Sequence, residues 1–394
     1  MQKSWRMVSV YSIAHFAVDF ACAFLMFRSI SASRDWYTCI LLYNFCAFAM
    51  QMPIGVVADR LNRNHVVASI GCVLVAAGYA LAATFDIQPE RLTTYLPLAT
   101  AVVIGLGNGM FHIGGGIDVL NICAKKYEAQ SEQRKHQQAG FKGGLSSGLQ
   151  CAPLGVFVSP GAFGVYFGTI LGKRSDFPPL PITLTIITAL LIAALIIYGA
   201  GAKRRKRHLT QVENPSKDSY VENAEFSLTT TSPALASAIC LFLVVCLRSY
   251  VGLAIDFLWK SAGYWGLALV CATVLGKAAG GFLADLFGTQ RTAIISLGIA
   301  ALLFLFPNMP IAGVAAILLF NMSMPITLYC LATLFPGAKG FSFGLLTFAL
   351  FLGFLPVHFG AATPPFWLFP LLAAVSPFLL YIGLRKIERG HSAG

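Results

Sequence analysis

"GVVADRLNRNHVVASIG", residues 55–71, and "GFLADLFGTQRTAIISLG", residues 281–298, are two copies of one pattern in a chain of 394 residues. In each copy, a short polar turn that contains an aspartate and an arginine joins the end of one apolar run to the start of the next. A pattern that occurs once in each half of a chain indicates an internal duplication, so the two halves are expected to fold alike.

The composition around these copies is that of a membrane protein. Hydrophobic residues make up 57% of the chain and charged residues 11%, and the mean hydropathy is +0.73; soluble domains carry about 25% charged residues. The net charge of +12 lies mostly in short loops, which is typical of topology signals and argues against nucleic acid as a partner. The ten cysteines are scattered singly, so we predict neither a disulfide framework nor a metal site.

Runs of about 20 apolar residues are long enough to cross a bilayer. The chain contains twelve, which are 7–30, 36–57, 65–85, 95–123, 141–170, 181–200, 233–255, 264–283, 292–307, 311–335, 341–362 and 368–384. A polar segment, residues 202–232, separates the first six from the last six. We therefore predict an all-α polytopic membrane protein with twelve transmembrane helices in two pseudo-symmetric six-helix bundles, residues 1–201 and 233–394, joined by a cytoplasmic loop.

A second, weaker match supports the duplication. "GLGNGMFH", residues 105–112, aligns with "LLFNMSMP", residues 318–325, and places Asn108 opposite Asn321. Two six-helix halves related by an axis normal to the membrane are a known transporter plan, in which the substrate binds between the halves near mid-bilayer.

The basic residues predict the orientation. With the N-terminus inside, about 20 of the 28 Lys and Arg residues lie in cytoplasmic segments and about 6 lie outside. Both termini are therefore expected to be cytoplasmic. The one N-x-S/T sequon begins at Asn321, inside an apolar run where glycosylation could not occur, which favours a bacterial inner membrane.

The duplicated turn resembles the helix 2–3 loop motif of the major facilitator superfamily. The matching residues are Gly55, Asp59, Arg60 and Arg63 in the first copy, and Gly281, Asp285, Gly288 and Arg291 in the second. Asn62 replaces the motif glycine. The resemblance covers essentially the whole chain. It implies the fold of that superfamily, transport of a small molecule by a monomer without a cofactor, and a role for both copies as a gate on the cytoplasmic side.

The residues of the turn have a physical reading of their own. Gly55 permits close helix approach. Asp59 lies at the membrane boundary, where it can accept hydrogen bonds from the amides that open the third helix or pair with a cation across the interface between the halves. The alternative is that Asp59, Arg60 and Arg63 are solvated loop charges.

A narrower resemblance lies in the polar residues inside the helices. These are His15 and Asp19 in the first helix, Phe111 and His112 in the fourth, and residues 247–249 in the seventh. Together they are similar to the fosmidomycin-resistance branch of drug exporters, which implies drug efflux.

Within the first helix, "SIAHFAVDFACAF", residues 12–24, places His15 and Asp19 on one helix face near mid-span. Ionisable groups at that depth cost several kcal/mol unless they are compensated, and in transporters they commonly mark substrate or proton pathways. Arg248 in the seventh helix is the predicted counter-charge of Asp19, because both helices are expected to line the central cavity. The alternative is a pair that only joins the two halves structurally.

Three further polar residues are candidates for the same site. His112 lies near mid-span and is either a proton carrier or a packing histidine, and Asn108 precedes it by one turn. Lys277 is either a cation of the cavity or an anchor that reaches towards the cytoplasm. The full predicted substrate and proton site is His15, Asp19, Asn108, His112, Arg248, Lys277 and Asn321.

These residues favour a secondary transporter that moves a small solute by alternating access. Proton coupling through Asp19, His15 and His112 is the favoured mechanism, and the substrate is an organic anion, a zwitterion or a drug-like compound. No P-loop motif is present, so ATP is not expected to be the energy source, and the absence of HExxH and GxSxG motifs disfavours an enzyme. A channel or a ligand sensor on a transporter fold remains the alternative.

Overall fold

The structure, a computed structural model, describes residues 2–84, 95–137, 151–174, 179–213, 232–361 and 364–392. The described residues form fifteen α-helices and no strand. In the first part of the chain they are α1 (Gln2–Leu25), α2 (Trp36–Asn44), α3 (Gln51–Leu61), α4 (Asn64–Ala82), α5 (Tyr95–Gln137), α6 (Ala152–Val158), α7 (Gly161–Lys173) and α8 (Pro179–Glu213). In the second part they are α9 (Ser232–Ala254), α10 (Trp265–Phe287), α11 (Thr289–Leu303), α12 (Pro310–Asn321), α13 (Ser323–Leu334), α14 (Lys339–His358) and α15 (Leu368–Ser392).

The helices confirm the predicted fold class. Ten helical segments of the described chain are long and apolar enough to cross a membrane, and two shorter apolar segments, Thr289–Leu303 and Leu368–Leu384, complete a set of twelve. Each segment overlaps one of the twelve apolar runs of the sequence. Several membrane segments consist of two successive helices: α2 continues through a π-helical turn, Phe45–Ala49, into α3, and α12 is followed directly by α13.

Two predicted segments fall partly outside the described residues. The fifth apolar run was predicted over 141–170, and its residues 141–150 are not described; the remainder is divided between α6 and α7 at Ser159 and Pro160. The predicted loop at 202–232 begins inside α8, which continues to Glu213, and its residues 214–231 are not described. The division of the chain at this segment stays a prediction.

The two predicted halves meet chiefly through two helix pairs. Helix α3 packs against α14, and α6 packs against α10. At the first contact, a Cβ atom added to Gly55 would overlap the carbonyl group of Gly340, so glycine is required for the two backbones to approach this closely. The pairs correspond to each other by the duplication, since α3 and α10 each end in one copy of the polar turn.

The polar turns share a positive φ angle at the equivalent position, although their ψ angles differ. Asn62 ends α3 with φ 48°, and Gly288 lies at the equivalent place after α10 with φ 91°. Positive φ favours glycine, and asparagine is one of the few other residues that adopt the left-handed region readily. This explains why asparagine can stand at the position where the superfamily motif has glycine.

Candidate functional site

Four polar residues from two helices meet in the first half of the chain. His15 and Asp19 lie on α1, and Asn108 and His112 lie on α5, in each case one helical turn apart. His15 and Asn108 are 5% and 2% exposed, so both side chains are removed from solvent. The structure therefore brings together four of the seven residues that the sequence predicted for the site.

Asp19 is the acceptor at the centre of this cluster. Its Oδ1 accepts a hydrogen bond of 2.8 Å from Asn108 Nδ2. Its Oδ2 lies 3.2 Å from His15 Nε2, and its Oδ1 lies 3.7 Å from His112 Nε2. The carboxylate is thus held by one neutral donor and faced by two imidazole rings, which can balance its charge only when the pair carries an additional proton.

The other ring nitrogen of each histidine is bound to a backbone carbonyl. His15 Nδ1 lies 2.8 Å from the carbonyl oxygen of Phe157, and His112 Nδ1 lies 2.8 Å from that of Asn108. A carbonyl oxygen accepts hydrogen bonds and cannot donate them, so each Nδ1 carries a proton. In a neutral imidazole, Nε2 is then the unprotonated nitrogen and presents a lone pair.

A helix break supplies the acceptor for His15. Pro160 has no N–H group, so the carbonyl of Val156, four residues earlier, has no helical donor. Ser12 Oγ of α1 donates to this oxygen over 3.1 Å, and His15 Nδ1 donates to the next carbonyl along, that of Phe157. The break between α6 and α7 thus leaves carbonyl groups that accept from two side chains of α1.

The two Nε2 atoms lie 2.8 Å apart. If both imidazoles were neutral, two lone pairs would face each other at hydrogen-bond distance, which is repulsive. One additional proton converts this contact into an Nε2–H···Nε2 hydrogen bond, and the positive charge of that proton is balanced by Asp19. The geometry of the cluster is therefore that of a site for a single shared proton.

The same three side chains include atoms of metal-ligating type. Their ligand atoms all lie within 4.8 Å of one another. Two imidazole nitrogens on one tetrahedral Zn²⁺, each about 2.0–2.1 Å from the ion, would lie about 3.3 Å apart. The observed distance of 2.8 Å is shorter and is that of a hydrogen bond. The arrangement fits a proton better than a metal, and the absence of a metal site stays a prediction.

Gly161 is a residue of this site that the sequence analysis missed. It opens α7, and a Cβ atom added there would overlap both Asp19 Oδ2 and His15 Nε2. Only hydrogen can occupy the position while the carboxylate and the imidazole keep their contact. The signal in the sequence was the break itself, because Gly161 directly follows the proline that interrupts the fifth run.

The prediction that Arg248 pairs with Asp19 is wrong. The ion pairs of Asp19 among the described residues are those with His15 and His112. Arg248 is 8% exposed and its Nη1 atom has no hydrogen-bond partner in the described part of the chain. The physical reason is the rotation of α1, whose carboxylate points towards α5 and α7 within its own half, away from α9.

The remaining two predicted site residues lie in the second half. Lys277 of α10 lies within electrostatic range of Arg248 and Asp19, and it forms no ion pair with any described residue. Asn321 donates Nδ2 to the carbonyl of Ile317 on its own helix over 2.9 Å. Asn321 therefore differs from Asn108, because it has no carboxylate partner among the described residues.

The duplicated turns make equivalent contacts across the interface. Asp59 accepts hydrogen bonds from the backbone N–H groups of Gly340, over 2.7 Å, and Phe341, over 2.9 Å, which open α14. Asp285 accepts from the N–H groups of Cys151, over 2.8 Å, and Ala152, over 2.9 Å, at the start of α6. Each carboxylate therefore caps a helix N-terminus of the opposite half, where unpaired N–H groups and the helix dipole favour a negative charge.

The arginines of the motif lie at the surface of the protein. Arg60, Arg63 and Arg291 are exposed, whereas the two aspartates accept backbone hydrogen bonds across the interface between the halves. The helix that Asp59 caps is α14, whereas the sequence analysis expected the amides that open the third membrane helix or a cation of the other half.

We expect Asp59→Asn and Asp285→Asn to slow transport while substrate affinity stays within about threefold. An amide keeps one acceptor oxygen but turns its NH2 group towards the second backbone N–H, so each closed contact loses about 1–3 kcal/mol. Flux and equilibrium binding in proteoliposomes measure the two quantities separately. Asp256→Asn is the matched control, because Asp256 is an exposed residue whose partner is Lys260. Abolished substrate binding in either folded variant would contradict a gating role.

The arrangement of the helices has counterparts among solved structures, although no protein-family model and no curated protein sequence matches this chain. A crystal structure of a variant of the E. coli fucose:proton symporter FucP aligns with a TM-score of 0.57 at 14% identity, over 98% of each chain. The chain has the major facilitator fold. A structure of the human organic anion transporter MFSD10 (TETRAN) aligns with a TM-score of 0.63 at 15% identity, over 96% of this chain and 99% of that one.

The major facilitator fold agrees with an integral, multi-pass membrane protein and with the twelve apolar helical segments described above. Both solved structures are of transporters and neither is of an enzyme, in agreement with the prediction from the sequence. Neither is described as a fosmidomycin exporter, so the narrower resemblance stays a prediction.

Proposed function

We propose that this protein is a secondary active transporter in which a proton shared by His15 and His112 drives the movement of a small solute. The observation that carries the proposal is the 2.8 Å contact between the two Nε2 atoms, since both Nδ1 atoms already donate to carbonyls. The site loads and releases one proton, and Asp19 balances its charge. The fold of FucP, titled a fucose:proton symporter, is compatible with this chemistry.

The surroundings of the imidazole pair allow its charge to change with the transport cycle. The charged and titratable groups that face it are Asp19 on α1 and, at longer range, Lys277 on α10. Helix α6 contributes a carbonyl and α7 a glycine, neither of which is charged. The proton is thus controlled by one carboxylate and by a cation on the opposite half, whose distance changes when the halves rock about the central site.

The gate belongs to the same proposal. Asp59 and Asp285 hold the two halves together at one end when their carboxylates cap α14 and α6. From the distribution of Lys and Arg, we propose that this end faces the cytoplasm, that both termini lie there, and that the membrane is a bacterial inner membrane.

The test is a measurement of proton movement that accompanies solute movement. A solute is first selected by thermal-shift screening of the purified protein, because selective binding raises apparent stability. In proteoliposomes loaded with a pH-sensitive dye, adding that solute outside should change the internal pH in the absence of any imposed gradient. Solute flux with no accompanying proton flux would reject proton coupling, and a continuous current without saturable exchange would indicate a channel.

A further inference from the structure

Arg248 is a buried cation that has no ion-pair partner among the described residues. It lies within α9, is 8% exposed, and its Nη1 atom is removed from solvent with no hydrogen-bond acceptor among the described residues. No described carboxylate forms an ion pair with it. A guanidinium in the membrane interior is costly unless something compensates it, and no described residue of the protein supplies that group.

A second cation accompanies it. Lys277 on α10 lies within electrostatic range of Arg248, and like charges at that separation repel each other. Asp19 is the described carboxylate that acts on Lys277, and the two side chains form no ion pair. Two cations that act on each other and have no ion-pair partner among the described residues form an electrostatic site for an anion.

The histidine cluster does not neutralise this pair. With one shared proton on His15 and His112, and with Asp19 ionised, the cluster has a net charge of zero. Asp19 also accepts a hydrogen bond from Asn108 and faces both imidazoles. The charges of Arg248 and Lys277 therefore remain uncompensated at the described part of the site, with capacity for up to two negative charges.

We infer that Arg248 and Lys277 bind an oxyanion group of the transported solute, such as a carboxylate or a phosphate-like group. Proton binding and anion binding then belong to different halves of the fold. Helices α1 and α5 of the first half bind the proton, and α9 and α10 of the second half bind the anion. Guanidinium suits this role because its planar donors match the oxygens of carboxylates and phosphates. The identity of the cargo rests on the proposed transport function, whereas anion binding itself does not.

The experiment measures the thermal unfolding midpoint of the purified, full-length protein in detergent. The probes are sulfate, inorganic phosphate and succinate, each compared with sodium chloride at equal ionic strength. At millimolar concentrations, at least one oxyanion should raise the midpoint of the wild type by about 2 °C or more, because a ligand that binds only the folded state stabilises it. Arg248→Met and Lys277→Met should each abolish most of this shift.

Without any added oxyanion, Arg248→Met should raise the midpoint relative to the wild type, because an apolar side chain replaces an uncompensated buried charge. Lys173→Met is the matched control: Lys173 is an exposed cation over the ring of Phe27, and its loss should leave the oxyanion shift unchanged. This second measurement requires no knowledge of the natural solute.

Three outcomes would overturn the inference. These are a midpoint of Arg248→Met below that of the wild type, equal stabilisation of all variants by the oxyanions, and no stabilisation of the wild type by any of the three probes. None of them concerns proton movement. Loss of proton coupling with intact anion binding would instead reject the proposed mechanism and leave the anion site standing.

Discussion

Asp19→Asn is expected to abolish solute accumulation driven by a pH gradient, with a loss of at least about tenfold, while counterflow exchange of the solute partly survives. Asp19 lies 3.2 Å from His15 and 3.7 Å from His112, so it would balance the proton that we propose these histidines share. An opposite charge at such a distance changes proton affinity by about 10- to 1000-fold. The amide keeps the shape of the side chain but removes the charge, so the cluster no longer loads a proton in the working range.

The measurement is uptake in proteoliposomes under an imposed pH gradient, compared with exchange when solute is present on both sides. His112→Gln should likewise lose pH-driven accumulation and keep part of the exchange, because it removes one of the two nitrogens that share the proton. Asp256→Asn is again the control, since Asp256 is exposed and pairs with Lys260. Unchanged pH-driven accumulation in Asp19→Asn would place the coupling proton elsewhere in the protein.

The sequence was sufficient to predict the fold and the elements that carry the site. The length and hydropathy of each run reflect the thickness of the bilayer, so the apolar runs coincide with helices. His15 and Asp19 were assigned to one face of a helix because the period of an α-helix fixes that relation. The positive φ of Asn62 and Gly288 follows from the same kind of local rule.

The contacts between helices could not be read in this way. A hydropathy pattern does not determine how far a helix is rotated about its axis, and the rotation of α1 decides whether Asp19 meets Arg248 or the imidazoles. The carbonyl of Phe157 that binds His15 belongs to the backbone, so no residue type marks it. Gly161 is required by the absence of a side chain, and among 37 glycines its position was not distinctive.

Asp19 can pair with the imidazoles or with Arg248, and the two pairings predict different changes in the free energy of unfolding. Asp19→Ala strands a proton-bearing imidazole pair inside the membrane, and removal of one partner of a buried pair costs about 3–5 kcal/mol. His112→Ala should be costly for the same reason, because it removes one of the two acceptors of the shared proton. In the double variant, His15 can return to its neutral state, so the combined loss should fall short of the sum by about 1–3 kcal/mol.

Asp19→Ala combined with Arg248→Ala should behave differently. These residues share no contact among the described atoms, and changes at sites without a shared partner usually add to within about 0.5 kcal/mol. Thermal and denaturant unfolding of the four proteins in each cycle, in one detergent and at one pH, provides the comparison. A coupling of several kcal/mol between Asp19 and Arg248, with additive losses for Asp19 and His112, would restore the pairing that the sequence suggested. The guanidinium would then be occupied by the protein's own carboxylate, and the anion site inferred for Arg248 and Lys277 would lose its basis.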